Sequence, residues 1–323
     1  DVDYRVASPR VHGLRLRPMP PYVNYCEIHR RPDAASGVRR PSGQLNIPFS
    51  GEVTNLDPSL VFMVLQSEVT PTVYETLTRQ QSGLEITGWL AESIESMEGG
   101  RRYALRLREG VRFHDGRRLT SRDVRYSFER LLANPESRRR SLLSPIRGAR
   151  AMMRGEISEL EGFRIHSPLE FSIELDAPLS FFPALLAYES AAIVPEGASQ
   201  FTGTWRDGNA GTGPFRITRF DPGRRLDLEA NPQYWRDGYP KCAGLAFWFN
   251  VPEDEIVSGF REGRFSIASD LSLESIDELS RDPAYAPLLV EAPLLSTAYL
   301  ALNIHAGPLA EREARLRLRE SLD

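Results

Sequence analysis

A strand pattern and a helix pattern follow each other closely in this chain, and their succession limits the folds that it can adopt. In residues 103–107 apolar side chains occupy every second position, which predicts a half-buried strand. Thr120 and Asp123 have the spacing of a capping box, and apolar residues recur at helical intervals in residues 124–132. Alternating runs, turns and helical runs continue along the chain. The sequence therefore predicts a mixed α/β fold.

The length and charge of the chain exclude several classes of protein. At roughly 150 residues per domain, the 323 residues correspond to two domains. No apolar run approaches the roughly 18 residues that a membrane-spanning helix needs. The 40 basic and 44 acidic side chains leave a net charge of −4, which gives no positive surface charge for binding nucleic acid. We expect a globular protein that binds no nucleic acid.

Two features leave the cellular compartment open. Cys26 and Cys242 lie too far apart for a C-x-x-C motif, so they predict neither a zinc site nor a redox pair, and their redox state is open. The sequence begins at Asp1 without the basic and apolar segments of a signal peptide, which is therefore either absent or already removed.

Residues 1–44 differ in composition from the remainder of the chain. They contain six of the 24 prolines and eight arginines against four acidic residues, so we interpret them as an extension or a linker. Leu45–Phe49 then has the pattern of a strand that enters a turn-rich loop.

Sequence motifs of catalysis are missing. The chain has no G-x-x-x-x-G-K-[ST], no G-x-S-x-G and no H-E-x-x-H, and its five histidines are scattered. His114 and Asp115 are adjacent in a turn, whereas a catalytic base and its orienting carboxylate usually converge from different elements. We expect His114 to be structural and the chain to have no enzymatic activity, no cofactor and no metal.

Eight short motifs occur in order along the chain. They are G-E-V-T-N-L-D-P at 51–58, V-Y-E-T-L at 73–77, W-L-A-E-S at 89–93, L-R-L-R-E-G-V-R-F-H-D-G at 105–116, L-T-S-R-D-V at 119–124, G-T-G-P-F at 211–215, N-P-Q-Y-W at 231–235 and L-A-L-N at 300–303. In this order they resemble family 5 of the solute-binding proteins of ABC transporters, the extracellular oligopeptide- and dipeptide-binding type. The stretch 105–124 is the most specific, since it is similar to the family's L-R-x-G-V-x-F-H-D-G-x-x-L-T-A-x-D-V.

The resemblance implies a fold of the type II periplasmic-binding-protein kind, with mixed sheets in two lobes around a ligand cleft. The first lobe would comprise residues 45–240, with an inserted subdomain at about 92–185, and the second would begin at 241. From the order of the family motifs we also expect Leu45–Phe49 to share a sheet with Phe215–Phe220, and residues 92–185 to form a separate layer. Residues 1–44 have no counterpart in the family pattern. Because residues 318–323 resemble the start of the family's V-R-x-A-L helix, we expect a C-terminally truncated member with an incomplete second lobe.

The resemblance also implies a function. The protein would capture oligopeptides or a related small ligand for an ABC importer, with the permease subunits as partners. It would lie in the periplasm or at the cell surface, held at the membrane only by the transporter or by a lipid anchor outside this chain. The expected ligand-binding residues are Glu52, Thr54, Asn55, Tyr74, Tyr299 and Asn303.

Several alternatives stay open at this point. Thr54 and Asn55 have the residue types that satisfy their own turn, and Tyr74 suits a core position with its hydroxyl at the edge. A different class of function is a cytoplasmic ligand sensor of the same fold, joined through residues 1–44 to a signalling or transcriptional regulator. The identity of the ligand stays open as well, because the family also handles sugars and metal chelates.

Overall fold

The computed structural model describes residues 2–30, 42–81, 85–199, 201–295 and 299–321. The strands are β1 (Val2–Ala7), β2 (Val11–His12), β3 (His29–Arg30), β4 (Ser42–Pro48), β5 (Thr78–Gln80), β6 (Ile86–Gly88), β7 (Ala91–Met97), β8 (Arg102–Leu107), β9 (Phe163–Ile165), β10 (Glu170–Glu174), β11 (Phe215–Asp221), β12 (Arg225–Ala230), β13 (Cys242–Trp248), β14 (Ile267–Ala268) and β15 (Leu289–Pro293). The α-helices are α1 (Val64–Val69), α2 (Ser121–Ala133), α3 (Ala149–Met153), α4 (Phe182–Leu185), α5 (Glu253–Arg261), α6 (Leu273–Arg281) and α7 (Arg312–Glu320). Within the described ranges, no helix has the length and apolar character to span a bilayer.

A central sheet of four strands has the order β11-β12-β13-β4. The pairs β11–β12 and β12–β13 are antiparallel, whereas β13 and β4 are parallel, with Leu245 beside Leu45 and Trp248 beside Pro48. Leu45 and Leu245 are completely buried, since both faces of the sheet are covered. The expected strand at Leu45–Phe49 and its place in the sheet of β11 are confirmed.

A lateral sheet has the order β14-β1-β15, with β1 antiparallel to both neighbours. Ser266, just before β14, donates its backbone N–H to the carbonyl of Asn46 in β4 at 2.7 Å, and its hydroxyl accepts the Asn46 N–H at 3.1 Å. These two bonds join the lateral sheet to the central sheet.

The subdomain sheet has the order β7-β8-β10-β9 and is antiparallel throughout. Helix α2 packs against it through a buried face that includes Val124 and Phe128. The capping box is present, because the Asp123 carboxylate accepts both the N–H and the hydroxyl of Thr120 at 2.8 Å. Residues 92–185 therefore form a separate layer, as the sequence predicts.

The N-terminal residues differ from the predicted extension. Strand β1 is the middle strand of the lateral sheet, and Val6 is completely buried in it. Tyr25 and Ile28 belong to the core of the central sheet. The described residues 2–30 are thus part of the fold, and the composition misled because prolines and arginines between the elements outnumber the few core residues.

The predicted boundary at residue 241 also needs correction. Residues 242–248 form β13, which lies between β12 and β4 in the central sheet. A strand with neighbours on both sides cannot begin a separate lobe. Since β14 and β15 follow in the lateral sheet, the elements joined to the central sheet continue through residue 293.

Candidate functional site

Five polar residues gather where the strands of the central and lateral sheets end, and we call this group the carboxyl edge. It consists of Ser50, Glu52, Thr54, Asn250 and Asp270. The parallel strands β4 and β13 end at Pro48 and Trp248, so the residues that follow them emerge on the same side. In open α/β sheets, ligands bind outside the carboxyl ends of the strands. The carboxyl edge is therefore our candidate ligand site.

Hydrogen bonds hold the carboxyl edge together. Asn250 donates from Nδ2 to the Glu52 carboxylate at 3.2 Å and to the Gly223 carbonyl at 2.9 Å. The N–H and hydroxyl of Ser50 both donate to the Asp270 carboxylate at 3.0 Å. Glu52, Thr54 and Asp270 are exposed, so two carboxylates face solvent in fixed positions.

The backbone at the carboxyl edge adopts an uncommon conformation at two positions. Asn250 has a φ of 54° and Asp270 a φ of 56°, which is the left-handed region that most side chains avoid. Asn and Asp tolerate it best because their short polar side chains bond locally. Such residues cluster at ligand sites, and here they lie two positions after the ends of β13 and β14.

The structure places Glu52 and Thr54 together and Asn55 apart. Glu52 and Thr54 both lie close to Gly223 in the turn between β11 and β12, since a Cβ atom at Gly223 would lie 3.0 Å from Oε2 of Glu52 and 3.8 Å from Cγ2 of Thr54. Asn55 is half-buried, and its Oδ1 accepts the backbone N–H of Asp57 at 2.6 Å. Stabilisation of this local turn is thus sufficient to explain why an asparagine occupies position 55.

Tyr74 lies in the core, away from the carboxyl edge. Only 2% of its surface is exposed, and its hydroxyl donates to Oδ1 of Asn209. Burial raises the pKa of the Tyr74 phenol. The side chain contributes to the wall of a cavity of about 510 Å³, which is separate from the carboxyl edge.

Tyr299 and Asn303 lie in the described segment 299–321. Tyr299 exposes 82% of its surface, and Oδ1 of Asn303 accepts the N–H of His305 at 3.0 Å. Among the described residues, no hydrogen bond joins either of them to Glu52. Their role in ligand binding stays a prediction.

Glu75 of the V-Y-E motif is buried and joins separate segments of the fold. Its buried carboxylate accepts four hydrogen bonds at 2.7 to 3.0 Å, from Trp89, Thr212, Tyr234 and Trp235. Burial raises its pKa, and the four donors oppose this shift. The motif thus links three segments of the chain through one carboxylate.

His114 and the G-T-G-P-F motif also hold segments together. The ring of His114 is buried, with Nε2 3.0 Å from the carbonyl oxygen of Gly213, while the N–H of Gly211 donates to Nδ1 at 3.2 Å. A Cβ atom at Gly211 would lie 1.9 Å from the carbonyl oxygen of Val73, so only glycine fits. These contacts agree with the expected structural role of His114.

Sequence reasoning missed Ser50, Asn250 and Asp270. The available signal was a polar residue directly after an apolar strand, as in F-W-F-N at 247–250. For metal binding, the described ranges contain no group of three or more His, Cys, Asp or Glu side chains that could hold an ion.

The fold matches that of the periplasmic binding proteins. The murein tripeptide binding protein MppA of Escherichia coli superposes with a TM-score of 0.66 at 21% identity, over 75% of this chain and 48% of MppA. Haemophilus influenzae OppA, solved in complex with RPPGFSPFR, superposes with a TM-score of 0.64 at 19% identity, over 75% of this chain and 49% of that protein. These similarities establish the class of fold.

The family follows from the sequence. The model of the bacterial extracellular solute-binding proteins, family 5 Middle, matches residues 85–322, and the chain belongs to this family. The predicted resemblance is confirmed.

Curated relatives agree with this assignment. The oligopeptide-binding protein OppA of Bacillus subtilis is 28% identical over 291 residues, which cover 86% of this chain and 52% of that protein. The glutathione-binding protein GsiB of Pectobacterium atrosepticum is 24% identical over 280 residues, 86% of this chain and 51% of the relative. The chain spans about half the length of these relatives.

Proposed function

We propose that this chain is part of an extracytoplasmic solute-binding protein that captures oligopeptides or a related small ligand for an ABC importer. The observation that carries the proposal is the carboxyl edge, where Glu52 and Asp270 are exposed in the segments that follow β4 and β14. The names of the OppA relatives support peptides as the ligand class. The permease subunits would be partners, and the protein would act in the periplasm or at the cell surface without catalysis.

The chemistry of the carboxyl edge fits a peptide. A peptide offers an α-ammonium group, which suits the exposed Glu52 and Asp270, and backbone N–H and C=O groups, which pair with extended protein backbone. Asn250 and Ser50 fix the two carboxylates, so little side-chain entropy is lost when a cation binds. No contact described above favours the fused sensor, and we do not propose it.

Replacing Glu52 with Gln should weaken peptide binding. Loss of one charge near a peptide ammonium group is expected to cost about 1 kcal/mol, or roughly fivefold in affinity. Calorimetric titration with a pool of di- to pentapeptides measures the effect. N-acetylation of the pool should remove the difference between the Glu52→Gln variant and the unmodified protein, since the ammonium group is then absent.

The matched control is Glu95→Gln, which removes an exposed carboxylate from β7 in the subdomain sheet. Its affinity for the pool should equal that of the unmodified protein. If the unmodified protein bound none of the peptides, the ligand class would be wrong. If Glu52→Gln and Glu95→Gln behaved alike, the carboxyl edge would not be the site.

A further inference from the structure

A cavity of about 510 Å³ lies between the N-terminal residues and the remainder of the fold. Its wall is formed by residues of three segments, 17–26, 67–81 and 184–189, with a few others. Small-molecule sites in proteins generally enclose roughly 300–1,000 Å³. The cavity therefore has the size of a ligand site and not of a packing defect.

The cavity lies at the opposite end of the central sheet from the carboxyl edge. The backbone carbonyl of Cys26, a residue of the cavity wall, accepts the N–H of Lys241 at 3.0 Å. Lys241 directly precedes the first residue of β13. Asn250 lies beyond the last residue of the same strand. At roughly 3.3 Å per residue, the strand separates the two sites by about 20 Å.

Two guanidinium groups face the cavity without an acidic partner. Arg17 and Arg79 both line it, and within the described parts of the chain neither forms an ion pair. Arg79 stacks over the Trp89 ring at 4.4 Å, an arrangement that leaves the N–H groups at its edge available. Burial and the nearby Arg79 lower the pKa of Arg17 to about 10, while the charges of Glu27 and Glu68 oppose this shift without reversing it.

The three carboxyl groups on the wall are already engaged elsewhere. Glu68 accepts the Arg5 guanidinium at 2.7 Å, and Glu75 accepts the four donors described above. Burial raises the pKa of Glu189 to about 7, so this group is largely neutral in mildly acidic solution. Arg139 adds a third cation to the wall. None of the three acids forms an ion pair with Arg17 or Arg79, although Glu68 attracts Arg17 from a longer distance.

The remaining wall is largely apolar. Its apolar members include Pro18, Met19, Pro20, Pro21, Ile86 and Pro214. A bare inorganic ion would leave this surface in contact with water. An organic anion with an apolar body would bury it, while its charged end reached the two arginines.

We propose that this cavity binds a small organic carboxylate whose charged group pairs with Arg17 and Arg79 and whose apolar body packs against the proline-rich wall. Guanidinium groups bind carboxylates through paired N–H donors, which gives both energy and orientation. The site is independent of peptide capture at the carboxyl edge, because it shares no residue with it.

A matched pair of probes tests the charge requirement. The acid 2-naphthoate and its neutral analogue 2-naphthamide have nearly the same shape, so their difference in affinity isolates the carboxylate. Calorimetric titration of the unmodified protein should show one site that binds 2-naphthoate at least tenfold more tightly than 2-naphthamide. Equal affinities would overturn the proposal without any variant being needed.

Variants then locate the site. Arg17→Gln and Arg79→Gln should each weaken 2-naphthoate binding about tenfold and leave 2-naphthamide unchanged. Arg122→Gln, which removes an exposed cation from α2, should bind 2-naphthoate normally, as should Glu52→Gln. The proposal fails if the two cavity variants bind 2-naphthoate as tightly as the unmodified protein does. It also fails if Glu52→Gln changes the affinity for 2-naphthoate, since the anion would then bind at the carboxyl edge.

Discussion

Replacing Arg5 with Met should lower the free energy of unfolding by about 3–5 kcal/mol, the usual cost of leaving one member of a buried ion pair alone. The side chains of Arg5 and Glu68 expose only 6% and 2% of their surface, and their charged atoms lie 2.7 Å apart. Glu68 also accepts the hydroxyl of Tyr25 at 3.0 Å and the N–H of Tyr22 at 2.8 Å. These neutral donors cannot replace the charge of the lost guanidinium group.

Urea-induced unfolding, followed by circular dichroism, measures this cost. Arg261→Met is the control, because Arg261 pairs with Glu278 at the surface and such a pair contributes at most about 1 kcal/mol. A double-mutant cycle with Glu68→Gln should give a coupling energy above about 1 kcal/mol. A coupling energy near zero would show that residues 2–30 are not held through this pair.

The place of β1 in the lateral sheet could not be predicted from the sequence. Val6 pairs with Ala268 in β14 and with Leu289 in β15, more than 250 positions away along the chain. Local alternation of apolar residues predicts a strand, but it carries no information on which distant strands will be its neighbours. The composition of residues 1–44 therefore favoured a linker, while the structure shows an inner strand.

The same limit explains the boundary at residue 241. The parallel pairing of β13 with β4 joins segments that lie 200 positions apart, as Leu245 with Leu45 shows. By contrast, the capping box at Thr120 and the periodic pattern of α2 depend on neighbours along the chain. These local features were predicted correctly, because a few adjacent residues determine them.

Only part of the carboxyl edge could be predicted, because its residues come from segments that lie far apart in the sequence. Glu52 and Thr54 lie in the motif at 51–58, directly after a recognisable strand, whereas Asn250 and Asp270 join them only through tertiary structure. Tyr74 also lies in a family motif, yet its ring is buried in the core. A motif thus marks residues that the fold requires, such as Tyr74, as well as exposed residues at the candidate ligand site, such as Glu52.

The stability of the protein should fall in acid because of His114. Burial lowers the pKa of this ring to about 4, whereas an unfolded chain has a histidine pKa near 6.5. Between these values the unfolded state binds the additional proton, so the free energy of unfolding decreases as the pH falls from about 6.5 to about 4. A difference of ~2.5 pH units corresponds to about 3 kcal/mol.

The geometry gives the reason for this shift. Nε2 must carry the proton because it faces the carbonyl of Gly213, and Nδ1 must be unprotonated because it accepts the N–H of Gly211. A second proton would place a charge in the core and break the bond to Gly211. The neutral ring is thus the form that the fold requires.

Comparison of the unmodified protein with His114→Asn at several pH values isolates this contribution. The difference in unfolding free energy between the two should be constant above about pH 7 and should change by about 3 kcal/mol between pH 6.5 and 4. Glu189→Gln provides a control of opposite sign. Burial raises the pKa of Glu189 to about 7, so its contribution to stability is present in acid and is lost as the pH rises through 7. Parallel profiles for the unmodified protein and His114→Asn would show that the ring is already charged or solvated in the folded state.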